Sequence, residues 1–149
     1  MRAVVQRVGS AQVTVDEETI GSMQQGLLAL VGVGPNDGAG DARELARKMA
    51  HLRVFTDDAG VMNRSLLDVG GSLGIVSQFT LFGDLRKGRR PYYGGAAAPE
   101  RAEALIEQLV EEAQGLGLRV MTGRFGASMQ VSLTNDGPVT LLIDTEKKF

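Results

Sequence analysis

The chain of 149 residues contains no cysteine and a single histidine, and those two shortages remove much familiar chemistry. Without cysteine there is no disulfide, no thiolate nucleophile and no cysteine-bearing zinc site; the composition suits a reducing, cytoplasmic setting. The lone imidazole, His51, lies two residues beyond Met49 in a segment that reads as a helix. At about 100° per residue it falls opposite the apolar stripe and faces solvent. A Ser-His-Asp arrangement would have to use it, and nothing in the pattern supports that. No HExxH, Walker-type glycine loop or GxGxxG strand–helix fingerprint is present, so neither a metal nor a cofactor is expected. The 18 acidic residues permit many carboxylate pairings, but no spacing singles one out. No stretch approaches the roughly 18 apolar residues of a membrane span, and the charged, alternating start from Met1 to Val8 reads as strand rather than signal peptide. A net charge of −2 argues against a general nucleic-acid binder, so any RNA contact must rest on a local basic patch.

What is present points to one globular domain over residues 1–149: 43% hydrophobic and 23% charged residues are the balance of an ordinary folded chain. A domain of this length buries roughly 70% of its unfolded surface and needs no staple. Ala3–Val8 and Ala11–Val15 read as short strands parted by a hairpin-like Gly9-Ser10. Gly26–Val33 is almost wholly apolar, as a strand buried on both faces would be, and Pro35-Asn36-Asp37-Gly38 then turns the chain. Asp41–Leu52 has helical periodicity through Ala42, Leu45, Ala46, Met49 and Leu52, with Asp41 and Glu44 spaced as a capping box. A second helix runs from Pro99, well suited to a first helical position, to Gln114. Gly74–Leu81, Arg119–Thr122, Met129–Thr134 and Val139–Asp144 complete the strands. Strands outnumber helices and do not alternate with them, so the expected class is α+β with a mostly antiparallel or mixed sheet and two main helices. Gly83–Ala98 is a long glycine-rich basic loop, a kind that is commonly functional.

Three segments carry the available chemistry. Ser77-Gln78-Phe79-Thr80-Leu81 sets hydroxyl, amide and aromatic groups at a strand end, where a pocket can form; Thr80 is a possible nucleophile, but one without an evident base to activate it. Asn135-Asp136-Gly137-Pro138-Val139-Thr140 is ordinary turn chemistry between two strands, although an X-Pro bond there can be cis. Arg86-Lys87-Gly88-Arg89-Arg90 is a dense basic block, suited either to a solvated loop or to salt-dependent contact with a polyanion.

Taken in order, Arg2–Val8, Met62–Gly71, Ser77–Leu81, Arg86–Pro91, Thr122–Ala127 and Met129–Thr140 resemble the corresponding segments of D-aminoacyl-tRNA deacylases, across nearly the whole chain. The resemblance implies a barrel-like α+β homodimer with its site at the subunit interface, hydrolysing the ester between a D-amino acid and the terminal adenosine of tRNA. It implies that Ser77, Gln78, Phe79 and Thr80 line the pocket, with a backbone N–H near Phe79 or Thr80 stabilising the oxyanion. It also implies that the 2′-hydroxyl of the terminal ribose helps activate water, with a Thr80 acyl-enzyme as the competing route. Gly137 and Pro138, joined by a cis bond, would reach into the partner's pocket, hold the amino group and exclude L side chains; glycyl-tRNA, with no side chain to reject, would pass. Arg7 would brace that turn, Phe125 and Met129 would wall the pocket, and Arg86, Lys87, Arg89 and Arg90 would face the RNA. Leu85 and Tyr92 depart from the family pattern within the basic loop. Apart from the resemblance, a non-catalytic RNA-binding module and a purely structural dimerisation domain remain as competing readings.

Overall fold

One long strand, β1 (Arg2–Val15), organises the computed structural model, which describes residues 1–149. The chain continues through β2 (Glu18–Met23), β3 (Gly26–Gly32), helix α1 (Ala39–His51), a small pair β4 (Phe55–Thr56) and β5 (Met62–Arg64), and one helical turn α2 (Leu66–Val69). It then forms β6 (Ser72–Ser77), a 3₁₀ turn over Phe79–Phe82, helix α3 (Pro99–Gly115), β7 (Arg119–Thr122) and β8 (Gln130–Asp144). Along one edge β1 pairs antiparallel with β3 through Arg2–Val8 and with β2 through Ala11–Val15; β8 runs antiparallel along its other edge. β6 joins β3 in parallel and β7 joins β6 in parallel, giving the order β2-β1-β3-β6-β7. The sheet curls until its ends meet: a Cβ on Gly21 of β2 would stand 3.0 Å from the Met121 side chain and from the Thr122 carbonyl of β7. The architecture is therefore α+β, a nearly closed mixed barrel with two main helices, as the sequence indicates.

Two apolar layers follow from the period of two along the strands, with the register shifts on either side of Val8 moving the buried side chains of β1 from one layer to the other. One face sends Ala3, Val5, Leu27, Ala29, Val31, Leu73 and Ile75 against Leu45, Met49, Leu105 and Leu109 of the helices. The other sends Val8, Val13, Leu28, Val76 and Met121 into the barrel. β3 is thus buried on both faces, which is why Gly26–Val33 shows no alternation.

Several sequence-based boundaries are corrected. Gly9-Ser10 is not a hairpin but part of an uninterrupted β1; the reversal lies at Asp16-Glu17, whose φ angles of 49° and 64° are those of a two-residue hairpin turn. Strand β2, which follows that turn, was not among the expected strands. Met129–Thr134 and Val139–Asp144 are the two arms of one strand, β8, and not separate strands joined by a turn. Asp41 does not cap α1: Gly38 does, and the Asp41 carboxylate accepts the Gly38 N–H at 2.9 Å from inside the helix. The turn α2 also lies outside the expected elements, yet Ser65 and Asp68 form a reciprocal box, with bonds of 3.1 and 2.8 Å that was legible as a spacing. His51 is exposed, as expected.

Candidate functional site

The pairing of β3 with β6 ends at Val31 and Ser77, and the chain leaves the sheet there. The Gln78 N–H donates to the Val31 carbonyl at 2.7 Å, fixing the point from which the Phe79–Phe82 turn departs. Between this turn, the Tyr93–Pro99 segment, the first turns of α3 and the Phe125–Met129 loop lies a cavity of about 570 Å³. Ser77, Gln78, Phe79, Phe125 and Met129 all line it, so five of the expected residues come together. Its floor is apolar, from Val31, Val33, Val76 and Ile106. No carboxylate, imidazole, amine or guanidinium is on the wall.

Thr80 stands apart from the other members of its motif. It is exposed and off the wall, and its hydroxyl accepts a hydrogen bond from the Gln78 side-chain amide. That partner is a donor, which holds the threonine oxygen but cannot take its proton. At the lip, Phe79 is 57% exposed and its ring meets Tyr93 edge to face, with centroids 5.0 Å apart at 71°, a favoured aromatic geometry. Tyr93, Ala97, Ile106 and Ala127 belong to the wall and were not anticipated. The Tyr92-Tyr93 pair was a visible signal for the first; the others come from the packing of α3 and the last loop. A smaller groove of about 400 Å³ shares Ser77, Ile106 and Phe125 with the cavity and is bordered by Glu103, Glu107 and Glu111 of α3.

Gly137 and Pro138 lie elsewhere. Along β1, Gln6 pairs with Thr140 and Val8 pairs with Asn135, so the residues 136–139 of β8 are pushed out opposite Arg7 alone. Such an enlarged bulge ejects backbone from the ladder. It is closed at its base by Asn135, whose side chain accepts the Val139 N–H at 3.1 Å and donates to the Thr140 hydroxyl at 3.0 Å. The Gly137–Pro138 peptide is cis, and Gly137 has φ of +130°. Arg7 is the brace: its Nε donates to the Asp136 carbonyl at 3.0 Å and its Nη1 to the Val54 carbonyl at 2.6 Å, with the side chain only 11% exposed. Arg7 and the bulge are therefore brought together, but both are off the wall of this chain's own cavity, and Gly137 and Pro138 project into solvent.

The basic block sits on a narrow flap. Asp84 and Tyr92 exchange backbone hydrogen bonds of 2.8 and 3.0 Å, closing residues 85–91 into a hairpin-like loop. Within it Arg86 grips Asp84 by Nε to Oδ1 at 2.9 Å and Nη2 to Oδ2 at 2.6 Å, and the Arg86 N–H adds a bond of 2.9 Å. The Arg86 side chain, and then its backbone N–H, hold the Asp84 carboxyl at about 2. Lys87, Arg89 and Arg90 are exposed and bind no side chain.

A family model described as D-Tyr-tRNA(Tyr) deacylase matches residues 4–144. The D-aminoacyl-tRNA deacylase of Thermosipho africanus (strain TCF52B) is 55% identical over 149 residues, covering all of both chains. That of Clostridioides difficile (strain 630) is 54% identical with the same coverage. Among solved structures, the c-Myc DNA Unwinding Element Binding Protein superposes with a TM-score of 0.91 at 37% identity, over 97% of this chain and 99% of that one. A probable eukaryotic D-amino acid tRNA deacylase gives a TM-score of 0.83 over 95% and 97%; at 17% identity it is similar in fold.

Proposed function

Since the chain belongs to the D-Tyr-tRNA(Tyr) deacylase family and is an ester hydrolase of that kind, we propose that it removes D-amino acids from tRNA by holding the ester over the Phe79–Phe82 turn. The observation that carries this reading is the cavity wall itself: Ser77, Gln78 and Phe79 beside an apolar floor, with no charged group. A site without a protein base suits a reaction in which the substrate supplies one. Water adds to the ester carbonyl carbon, and the carbonyl oxygen takes up negative charge. Backbone N–H groups at Phe79 and Thr80 stabilise it, since the first N–H groups of a helical turn lack partners inside it. Collapse breaks the bond to the 3′-oxygen, which leaves with the proton that the attacking water gives up, passed on through the ribose 2′-hydroxyl that orients and polarises that water. The hydroxyl of Thr80, engaged by Gln78, is placed second as a nucleophile.

Chiral selection falls to Gly137 and Pro138 of a second copy of the chain. They are solvent-exposed, and β8, which carries them, is a free sheet edge with Leu142 64% exposed. Backbone carbonyls there hold the ammonium, and the wall they form collides with an L side chain; a collision discriminates where attraction between mirror images does not. Glycyl-tRNA offers nothing to collide and is cleaved as well. Lys87, Arg89 and Arg90 meet the phosphates of the tRNA, and the substrate sets the work in the cytoplasm. The chain has no helix long and apolar enough to cross a membrane.

Incubating the purified protein with D-tyrosyl-tRNA and L-tyrosyl-tRNA tests the proposal, with rapid release of the D-amino acid only as the expected result. Equal cleavage of both removes the gate, and cleavage of neither removes the enzyme. A monomer at assay concentration, measured by light scattering, removes the cross-copy arrangement.

A further inference from the structure

The turn at Phe79–Phe82 is held at its start by the bond from Gln78 to Val31, and something must equally hold its end. The Phe82 ring is seated on glycine backbone. A Cβ on Gly32 would fall 3.0 Å from Phe82 Cδ2 and Cε2, and one on Gly34 would fall 3.0 Å from Cε1. Side chains at these positions would push the ring away. Over the same ring lies the Arg2 guanidinium, with Cζ 4.4 Å from the centroid, inside the range of a cation–π contact. Arg2 Nη1 also donates to the Leu81 carbonyl at 3.3 Å, so one side chain takes hold of two consecutive residues of the turn.

Arg2 also faces the buried carboxylate of Asp144, but loosely. Nε stands 3.7 Å from Asp144 Oδ2, and these two atoms are the buried side-chain polar atoms left without a hydrogen bond. Leaving such atoms unpaired is costly. A guanidinium placed to serve Asp144 would close that gap; this one stays over Phe82 and at the Leu81 carbonyl. We propose that Arg2 is a positioning residue for the deacylation turn, acting through Phe82 and Leu81 to fix the backbone at Phe79 and Thr80. This rests on the function proposed above. A displacement of about 1 Å in a group that meets the transition state can cost about a hundredfold in rate, while the phosphate contacts that govern tRNA affinity lie on the separate flap.

The test uses Arg2→Met and Arg2→Lys in the full chain. Arg2→Met is expected to lower kcat on D-tyrosyl-tRNA by about 10- to 100-fold with KM within about threefold. Arg2→Lys, which keeps the charge but not the planar donor set, is expected to fall between. Phe82→Leu should reproduce the loss, and Arg2→Met with Phe82→Leu should be little worse than either alone, because the two act as one unit. Amide hydrogen exchange supplies a readout independent of turnover: in Arg2→Met, Leu81 and Gly83 exchange faster while α1 and α3 are unchanged. Unchanged kcat in a folded Arg2→Met overturns the proposal, as does faster exchange spread through the whole domain, the mark of a merely structural role. If the wild type does not deacylate, the proposed function has failed; unchanged exchange in the turn would then overturn the hold of Arg2 on it separately.

Discussion

Removing the charge of Asp84 should make tRNA binding more sensitive to salt, although the substitution adds no cation. The flap carries four basic side chains, of which Arg86 is engaged by Asp84 through two prongs and a backbone N–H. Lys87, Arg89 and Arg90 are free. Each phosphate neutralised contributes about 0.7 to 0.9 to the slope of log affinity against log salt. Three contacts therefore give a slope of roughly −2 to −2.7, and a fall in affinity of about 20- to 40-fold between 50 and 200 mM salt. Lys87→Gln, Arg89→Gln and Arg90→Gln should each reduce the slope by about 0.7 to 0.9. Asp84→Asn should steepen it by a similar amount, because Arg86 is released as a fourth cation.

The decisive control is Asp84→Asn with Arg86→Gln, which removes the pair and should leave the wild-type slope. Equilibrium binding of uncharged tRNA, which offers no ester, provides the assay over that salt range. A double variant that loses as much slope as Arg89→Gln would show that Arg86 leaves Asp84 for a phosphate on binding, and would refute the division of the flap into a braced residue and three free ones. A surface pair is normally weak; the two side-chain prongs and the added backbone N–H bond are the reason to treat this one as closed.

Thr80→Ala should retain measurable turnover of D-tyrosyl-tRNA, and a 2′-deoxy terminal adenosine should abolish it; complete loss in the first with an intact fold, or normal hydrolysis in the second, would favour an acyl-enzyme at Thr80. Gly137→Ala should cost about 1 to 3 kcal/mol through backbone strain, since φ is +130°, and more through contact, since a Cβ would stand 2.9 Å from Val139 Cγ2 and 3.0 Å from Arg7 Nη2; an unchanged urea midpoint would show that the bulge relaxes freely. The Asp84 carboxyl, followed by carbon NMR, should titrate near 2. Because its pKa is depressed, the brace is complete above the ordinary carboxylate range and is lost only as pH falls toward that value, so a midpoint near 3.8 would contradict the bidentate grip.

The parts of the fold written in single segments were open to sequence reasoning, and those written in pairings were not. The helices declared themselves because their apolar faces repeat locally, and β3 because it is buried on both sides. Gly9-Ser10 misled because a glycine next to a serine is turn chemistry in isolation, whereas β1 continues past it under the pairing of β8 on its other edge. The same pairing made one strand of two around Asn135–Thr140: nothing in the residues 136–139 says that they leave a ladder and rejoin it. Within the site, the residue types of Ser77–Phe79 at a strand end suggest a pocket and the family resemblance assigns them to it, whereas Phe125 and Met129 are reached through the resemblance alone, since local spacing would leave them as core. Arg2 shows the limit most clearly. Its role depends on a ring eighty residues away and on two glycines that make room for that ring, and no local pattern links them.

On the proposed reading, discrimination by exclusion at the bulge of β8 requires more than a proline at the right place. Each tenfold preference for the D substrate needs about 1.4 kcal/mol of penalty on the L form, and a loop able to yield would dissipate that penalty by moving aside. Residues 136–139 have left the sheet and forfeited its ladder bonds, so their stiffness must come from side chains. Asn135 ties the base of the bulge to Val139 and Thr140. Arg7, on the strand opposite, ties the Asp136 carbonyl to the Val54 carbonyl through one nearly buried guanidinium. A planar guanidinium presents donors on separate nitrogens to the two carbonyls, whereas a lysine would have to reach both from a single nitrogen. The residue standing opposite the expelled segment is therefore the one able to replace the ladder that the segment gave up. On the proposed reading, the selectivity of Gly137 and Pro138 is only as firm as that replacement.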